Sequence, residues 1–220
     1  MLWVLVAIAS RMKRPQTISV LLPLTLVLFG AVGCENLLGW RDRTDDVTLR
    51  RVEDAPDRAV GVQSLDTVGG EQVLTNEEAG IAITLPSSWT DTTGLHNSAE
   101  LQAVNSDRQL YLIVVAEDAT ALNRFGLREN ASAYRELLAD RMQSYEGEFP
   151  TDVAFVGNNF ANQYEIRGQV DEDTPVVYLH TTVLSEDTYY QVVAWTTPDQ
   201  YEFYRSELRT IVSSFREIDS

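Results

Sequence analysis

Few residues in this chain are equipped for chemistry. Its 220 residues include one cysteine and two histidines. His180 stands among Val177, Leu179 and Val183, in a run that reads as strand. A histidine there is expected to be a sheet residue with one ring nitrogen satisfied. His96 lies in the polar stretch TDTTGLHNS and is expected to be exposed. Neither has a carboxylate and a serine in a recognisable order, so a catalytic triad is unsupported. One cysteine and two histidines nearly exclude an ordinary zinc site. The sequence has no phosphate-binding loop, dinucleotide fingerprint, zinc-protease helix, nucleophile elbow or paired-cysteine motif. Acidic groups remain. Glu117-Asp118 closes an apolar run, and Asp171-Glu172-Asp173 and Glu186-Asp187 fall at hairpin tips. Loop carboxylates suit a hard cation such as calcium. Their spacing does not match an EF-hand, and acidic hairpin tips are common solvated turns. The expectation is no catalytic, cofactor-binding or metal residue and no cofactor.

Cys34 is different in kind. It has no nearby histidine to activate it and follows the segment MKRPQTISVLLPLTLVLFGAVG, residues 12–33. Lys13 and Arg14 make a positive start, Ile18 to Phe29 an apolar stretch, and Gly30, Ala31 and Gly33 a small-residue end. That is the layout of a secretory signal peptide. The apolar run is shorter than a membrane span and contains Pro23. Ala31-Val32-Gly33-Cys34 resembles the lipobox of bacterial lipoproteins, with Ala31 where that family usually has Leu. The resemblance implies cleavage between Gly33 and Cys34 and a lipid on the Cys34 sulfur. It makes the membrane a partner and implies a location facing the periplasm, the thylakoid lumen or the cell exterior. The apolar run from Met1 to Ser10 lies ahead of the charged start, and translation is expected to begin at Met12.

The formal net charge is -16. Arg11, Lys13 and Arg14 sit in the first 33 residues, which hold no acid, so the rest is more acidic still. A body of that sign is repelled by nucleic acid and by anionic lipid headgroups, and no nucleic-acid partner is expected.

Residues 1–33 thus read as signal peptide and 34–70 as a flexible acidic linker. Residues 71–218 read as one α+β domain. Ile81 to Leu85 alternates and stops at Pro86, a short strand, with Trp89 set to pack over the sheet end. Residues 99–104 and 110–116 form a hairpin, and the second arm, LYLIVVA, is apolar on both faces. Residues 152–157, 161–167, 175–184 and 189–196 read as an antiparallel meander. Ala131 to Glu146 has a helical stripe of Tyr134, Leu137, Leu138, Met142 and Tyr145. A second helix opens at Thr197-Pro198-Asp199-Gln200, with Thr197 as N-cap of a capping box. A short helix is expected over residues 118–127. Strands apolar on both sides lead to an antiparallel sheet flanked by helices on both faces, an α/β/α sandwich.

AGIAITLPSSW, the hairpin, the helix, FANQYEIRG, YYQVVAWTTP and the closing SSF together resemble the PsbP/Mog1/DcrB-like domains over roughly residues 72–218. The resemblance implies that α/β/α fold and a binding or assembly role without a shared catalytic set. The expected function is therefore a lipid-anchored, non-enzymatic interaction module with an unknown protein partner. The alternative is a carrier of a small ligand or divalent cation at a weak acidic site.

Overall fold

The computed structural model describes residues 61–118, 126–186 and 188–218. Two antiparallel sheets form. The smaller runs in the order β1 (Gln63–Val68), β2 (Glu71–Asn76), β3 (Ile81–Leu85), β12 (Arg216–Glu217). The larger runs β4 (Thr90–Asp91), β5 (Leu101–Asn105), β6 (Leu110–Asp118), β11 (Thr188–Thr196), β10 (Thr174–Leu184), β9 (Asn159–Asp171), β7 (Ser144–Pro150). The short β8 (Phe155–Val156) pairs with β9. Two helices complete the set, α1 (Leu127–Ala139) and α2 (Pro198–Ser213).

The alternating residues of β10 show how the layers are joined. Val177, Leu179 and Val183 enter a large apolar cluster with Tyr201, Leu208, Ile211 and Val212 of α2 and with Leu74, Ile81 and Ile83 of the smaller sheet. Val176 and Tyr178 enter a second cluster with Tyr134 and Leu138 of α1. The period of two along the strand sends neighbours to opposite sides.

The expected α/β/α sandwich, with a helical layer on each face, is not what forms: α2 shares its side of the main sheet with the smaller sheet. The domain is mostly β, with twelve strands and two helices among the described residues and a curled main sheet. Side chains of β2 and β3 fill space that a helical layer was expected to fill. Apolarity on both sides of a strand means that both sides are covered, but does not say whether helix or strand covers them. β1 also forms within the stretch read as linker, pairing with β2 from Gln63↔Asn76 to Val68↔Glu71.

Helix α1 is displaced from its expected span. It stops at Ala139, and Arg141 N–H and Met142 N–H turn back onto Leu138 O and Ala139 O. The chain then becomes the edge strand β7, with Tyr145 opposite Gly168 and a bulge before Gly147, whose φ is 131°. That φ suits glycine alone. Met142 and Tyr145 continue the helical stripe on paper, but the closing turn takes Met142 and backbone pairing with β9 takes Tyr145. α2 matches its expected start, and Pro198 occupies the first turn. No capping bond is made by the Thr197 side chain; its carbonyl accepts from Tyr201 N–H at 2.9 Å. Trp89 is fully buried, and its indole N–H donates to Glu207 of α2 at 2.9 Å. The expected helix at 118–127 lies largely outside the described residues.

Candidate functional site

The polar residues nearest to chemistry meet beneath α1. Glu117 ends β6, His180 and Thr182 lie on β10, Gln191 lies on β11, and Asn130 and Tyr134 lie on α1. The register places Thr182 opposite Gln191 and Glu117 opposite Tyr189. Strand alternation then turns Glu117, Thr182, His180 and Gln191 to one side, where α1 descends onto them.

The hydrogen bonds identify the protonation pattern. Gln191 Nε2 donates to Glu117 Oε2 at 2.6 Å and to Asn130 Oδ1 at 2.7 Å. Its amide nitrogen is therefore used, and Gln191 Oε1 is left as acceptor. Thr182 Oγ1 donates to that oxygen at 2.7 Å, and His180 Nε2 lies 2.8 Å from it. His180 must carry its proton on Nε2, which leaves Nδ1 a bare, buried acceptor without a partner. Tyr134 stacks on the imidazole, with ring centroids 5.1 Å apart and planes 13° from parallel. Burial holds His180 down to about 4, with the positive charge of Arg135 acting the same way and the Gln191 bond opposing both. Burial raises the Glu117 carboxyl, opposed by its bonds from Gln191 and Asn130.

The structure thus gathers Glu117, His180 and a hydroxyl, the groups an acid–base centre would need. Their bonding does not make one. Glu117 meets the Gln191 amide instead of the imidazole. Thr182 gives its proton to Gln191 Oε1, and the nearest imidazole nitrogen already bears a proton, so no base faces the hydroxyl. His180, Thr182 and Gln191 are 0% exposed. The arrangement ties α1 to three strands through side-chain bonds.

His96 corrects its expectation, being 6% exposed rather than on the surface. The Gln102 side chain folds the loop inward: its Oε1 accepts from Leu95 N–H and His96 N–H, and its Nε2 donates to His96 O at 2.7 Å. Ser98 N–H donates to His96 Nδ1 at 3.1 Å. Burial, helped by Arg141, lowers His96 to about 4.

The acidic tips stay apart from this centre. Asp173 N–H donates to Asp171 Oδ1 at 3.0 Å, a self-closed turn. Glu186 is exposed, and Asp187 lies outside the described residues. No group of three or more His, Cys, Asp or Glu side chains gathers among the described residues. Gly33 and Cys34 lie outside the described residues, as do the signal peptide and most of the linker. No helix among the described residues is long and apolar enough to cross a membrane.

Sequence reading missed Gln191 and Thr182 as partners of His180, and Asn130 as a partner of Gln191, since amides and hydroxyls carry no signal until pairing puts them side by side. It also missed Phe155 and Phe160, which are 56% and 60% exposed, with ring centroids 5.0 Å apart. The signal that could have found them is the uncharged run VAFVGNNFANQY, residues 153–164.

No protein-family model matches the chain. No curated protein matches it. Solved structures do. Cyanobacterial PsbP (CyanoP) from Synechocystis sp. PCC 6803 is similar at 16% identity and TM-score 0.49, over 73% of this chain and 96% of that one. LpqN, involved in cell envelope biogenesis of Mycobacterium tuberculosis, is similar at 10% identity and TM-score 0.46, over 72% and 91%. The Saccharomyces cerevisiae Ran-binding protein Mog1p is similar at 15% identity and TM-score 0.42, over 71% and 97%. The PsbP and Mog1 folds that the sequence motifs resemble are thus met again among the solved structures similar to this chain.

Proposed function

We propose that this chain is a lipid-anchored, extracytoplasmic protein that works as a non-enzymatic interaction or assembly module. The observation that carries the second half is the closure of the polar centre. Its imidazole, amide and hydroxyl are fully buried and spend their hydrogen bonds on one another and on Glu117 and Asn130. A substrate would have to displace α1 to reach them. The surface is what remains for recognition. The anchor half rests on the positive start at Lys13-Arg14, the apolar stretch and the small residues before Cys34.

Growth with an alkyne fatty acid tests the anchor. The full chain should take up label, and Cys34→Ala should lose it; an unsubstituted chain that never takes label ends that half. Purification from detergent-solubilised membranes tests the module. It should bring down a partner in fixed stoichiometry, and a chain that purifies alone under mild detergent and low salt contradicts the assembly role.

A further inference from the structure

The β8–β9 hairpin stands out by what it lacks. In a chain with 23% charged residues, positions 153–164 hold none. Its turn, Gly157-Asn158, lies beyond the last β9–β10 pair, Leu184↔Phe160, so the tip projects past the neighbouring strand. Gly157 has φ 58°, the left-handed conformation the turn requires. Phe155 and Phe160 sit opposite each other across the two strands and lean together at the tip. The other large exposed aromatics among the described residues stand beside charge: Tyr145 before Glu146, Phe149 after Glu148, Phe203 after Glu202.

We infer that the Phe155–Phe160 hairpin tip is a lipid-facing finger that enters the interface of an uncharged, zwitterionic bilayer. The inference deepens the anchored-module reading and rests on it for the nearness of a membrane. Two observations favour lipid over protein. The apolar area offered by the two rings is about 200 Å². That is well short of the roughly 800 Å² per partner of a stable protein interface. A bilayer interface accepts small apolar insertions and excludes charge, and the hairpin's own residues, 153–164, meet both conditions. The chain's net charge of -16 selects among lipids, because anionic headgroups repel it. Proximity is supplied by covalent reach. The 27 residues from Cys34 to Gly61 span at most about 90 Å, so an anchored domain stays within touching distance of its membrane.

The test uses the full chain, purified in detergent and reconstituted into phosphatidylcholine vesicles with brominated acyl chains. The indole introduced by Phe160→Trp should be quenched beyond the background of the unsubstituted chain, and Phe155→Trp should behave alike. Both positions are more than half exposed, so neither replacement disturbs the core. Replacing part of the phosphatidylcholine by phosphatidylglycerol should weaken the quenching. Introduced indoles that stay unquenched in vesicles holding the chain overturn the inference. So does quenching that grows with anionic lipid. Unquenched indoles together with a co-purifying protein, or a self-associated dimer, that is lost in Phe155→Ser/Phe160→Ser would reassign the tip to protein contact. The anchor fails separately: an unlabelled Cys34 with quenched indoles removes the lipid tether and keeps the finger.

Discussion

Gln191 is the residue on which the polar centre turns, because its two side-chain atoms serve four partners. Gln191→Leu leaves the His180 N–H and the Thr182 hydroxyl without it, in a place water does not reach, and takes one bond from the half-buried Glu117 carboxyl. An unsatisfied buried donor costs about 1–3 kcal/mol. The substitution should lower stability by about 3 kcal/mol in urea titration, and a loss below 1 kcal/mol would mean the network relaxes onto other partners. The two histidines set a pH dependence. Each is lowered from 6.5 to about 4 by burial first. Below pH 6.5 the unfolded chain takes up protons that the native histidines refuse, so stability falls as pH drops from 6.5 towards 4. The loss between pH 7.5 and 5 is on the order of 2 kcal/mol for each histidine. Glu117, raised by burial, acts in the opposite sense and offsets part of it. Urea midpoints that stay level over that range would contradict the buried, neutral state of His96 and His180. His180's strand setting and single satisfied nitrogen were readable from its apolar neighbours. Its surroundings were not, because its partner Gln191 is 11 positions away, and Glu117, which Gln191 also bonds, is 63 positions away; strand register alone brings them together.

At the level of elements, β9 is held to its neighbours at two points that the sequence does not flag. Gly168 lies under the crossing of the chain after α1. A Cβ there would come within 2.4 Å of Met142 Sδ and of Ser144 O. The methionine tip can yield, but the backbone carbonyl cannot without moving β7. Gly168→Ala should therefore destabilise the domain by about 2 kcal/mol and speed exchange of the β7 amides. Normal β7 protection in the variant would show that the strand shifts without cost. The second point joins β9 to α2. Glu165, nearly buried, is approached by Arg205, Arg209 and Arg167, with Arg209 Nη2 at 3.4 Å and Arg167 Nη2 at 3.7 Å. The arginines are partly solvated, which weakens each pair. Removing the carboxylate with Glu165→Ala still leaves Arg209 half-covered and without its central acceptor, and should cost about 2 kcal/mol. A double-mutant cycle with Arg209→Ala checks whether the loss belongs to that pair. α2 and the β9–β10–β11 meander were legible because period and turn residues agree along each stretch. The end of α1 was not, since a stripe of Leu138, Met142 and Tyr145 suits a helix as well as a turn followed by a strand.

For the whole molecule, charge decides the surroundings that suit it. A net charge of -16 makes the folded chain repel itself. Raising sodium chloride from about 20 to 200 mM shortens the range of that repulsion to roughly 7 Å. The thermal midpoint should rise by a few degrees over that range, and a fall would mean that surface ion pairs outweigh net repulsion. The covering of the main sheet is also a whole-molecule property. β2 and β3 supply Leu74, Ile81 and Ile83 to the cluster that α2 completes, and the C-terminal β12 closes onto β3 through Arg216↔Ala82. Ends of the described chain more than 130 residues apart thus share one small sheet.

The sequence by itself determined the local features. These are the strand at Ile81–Leu85, the hairpin arms, the Pro198 helix start, the acidic balance and the singular position of Cys34. Each depends on residues within a few positions of one another, where side-chain period, backbone preference and charge act directly. Only the tertiary structure decided what covers the apolar strands, where α1 yields to β7, that His96 is buried, and that Glu117 and His180 meet through Gln191. The same holds for the pairing of Phe155 with Phe160 in the open. Those outcomes depend on register between distant strands, and a shift of one residue would turn every one of those side chains to the other face.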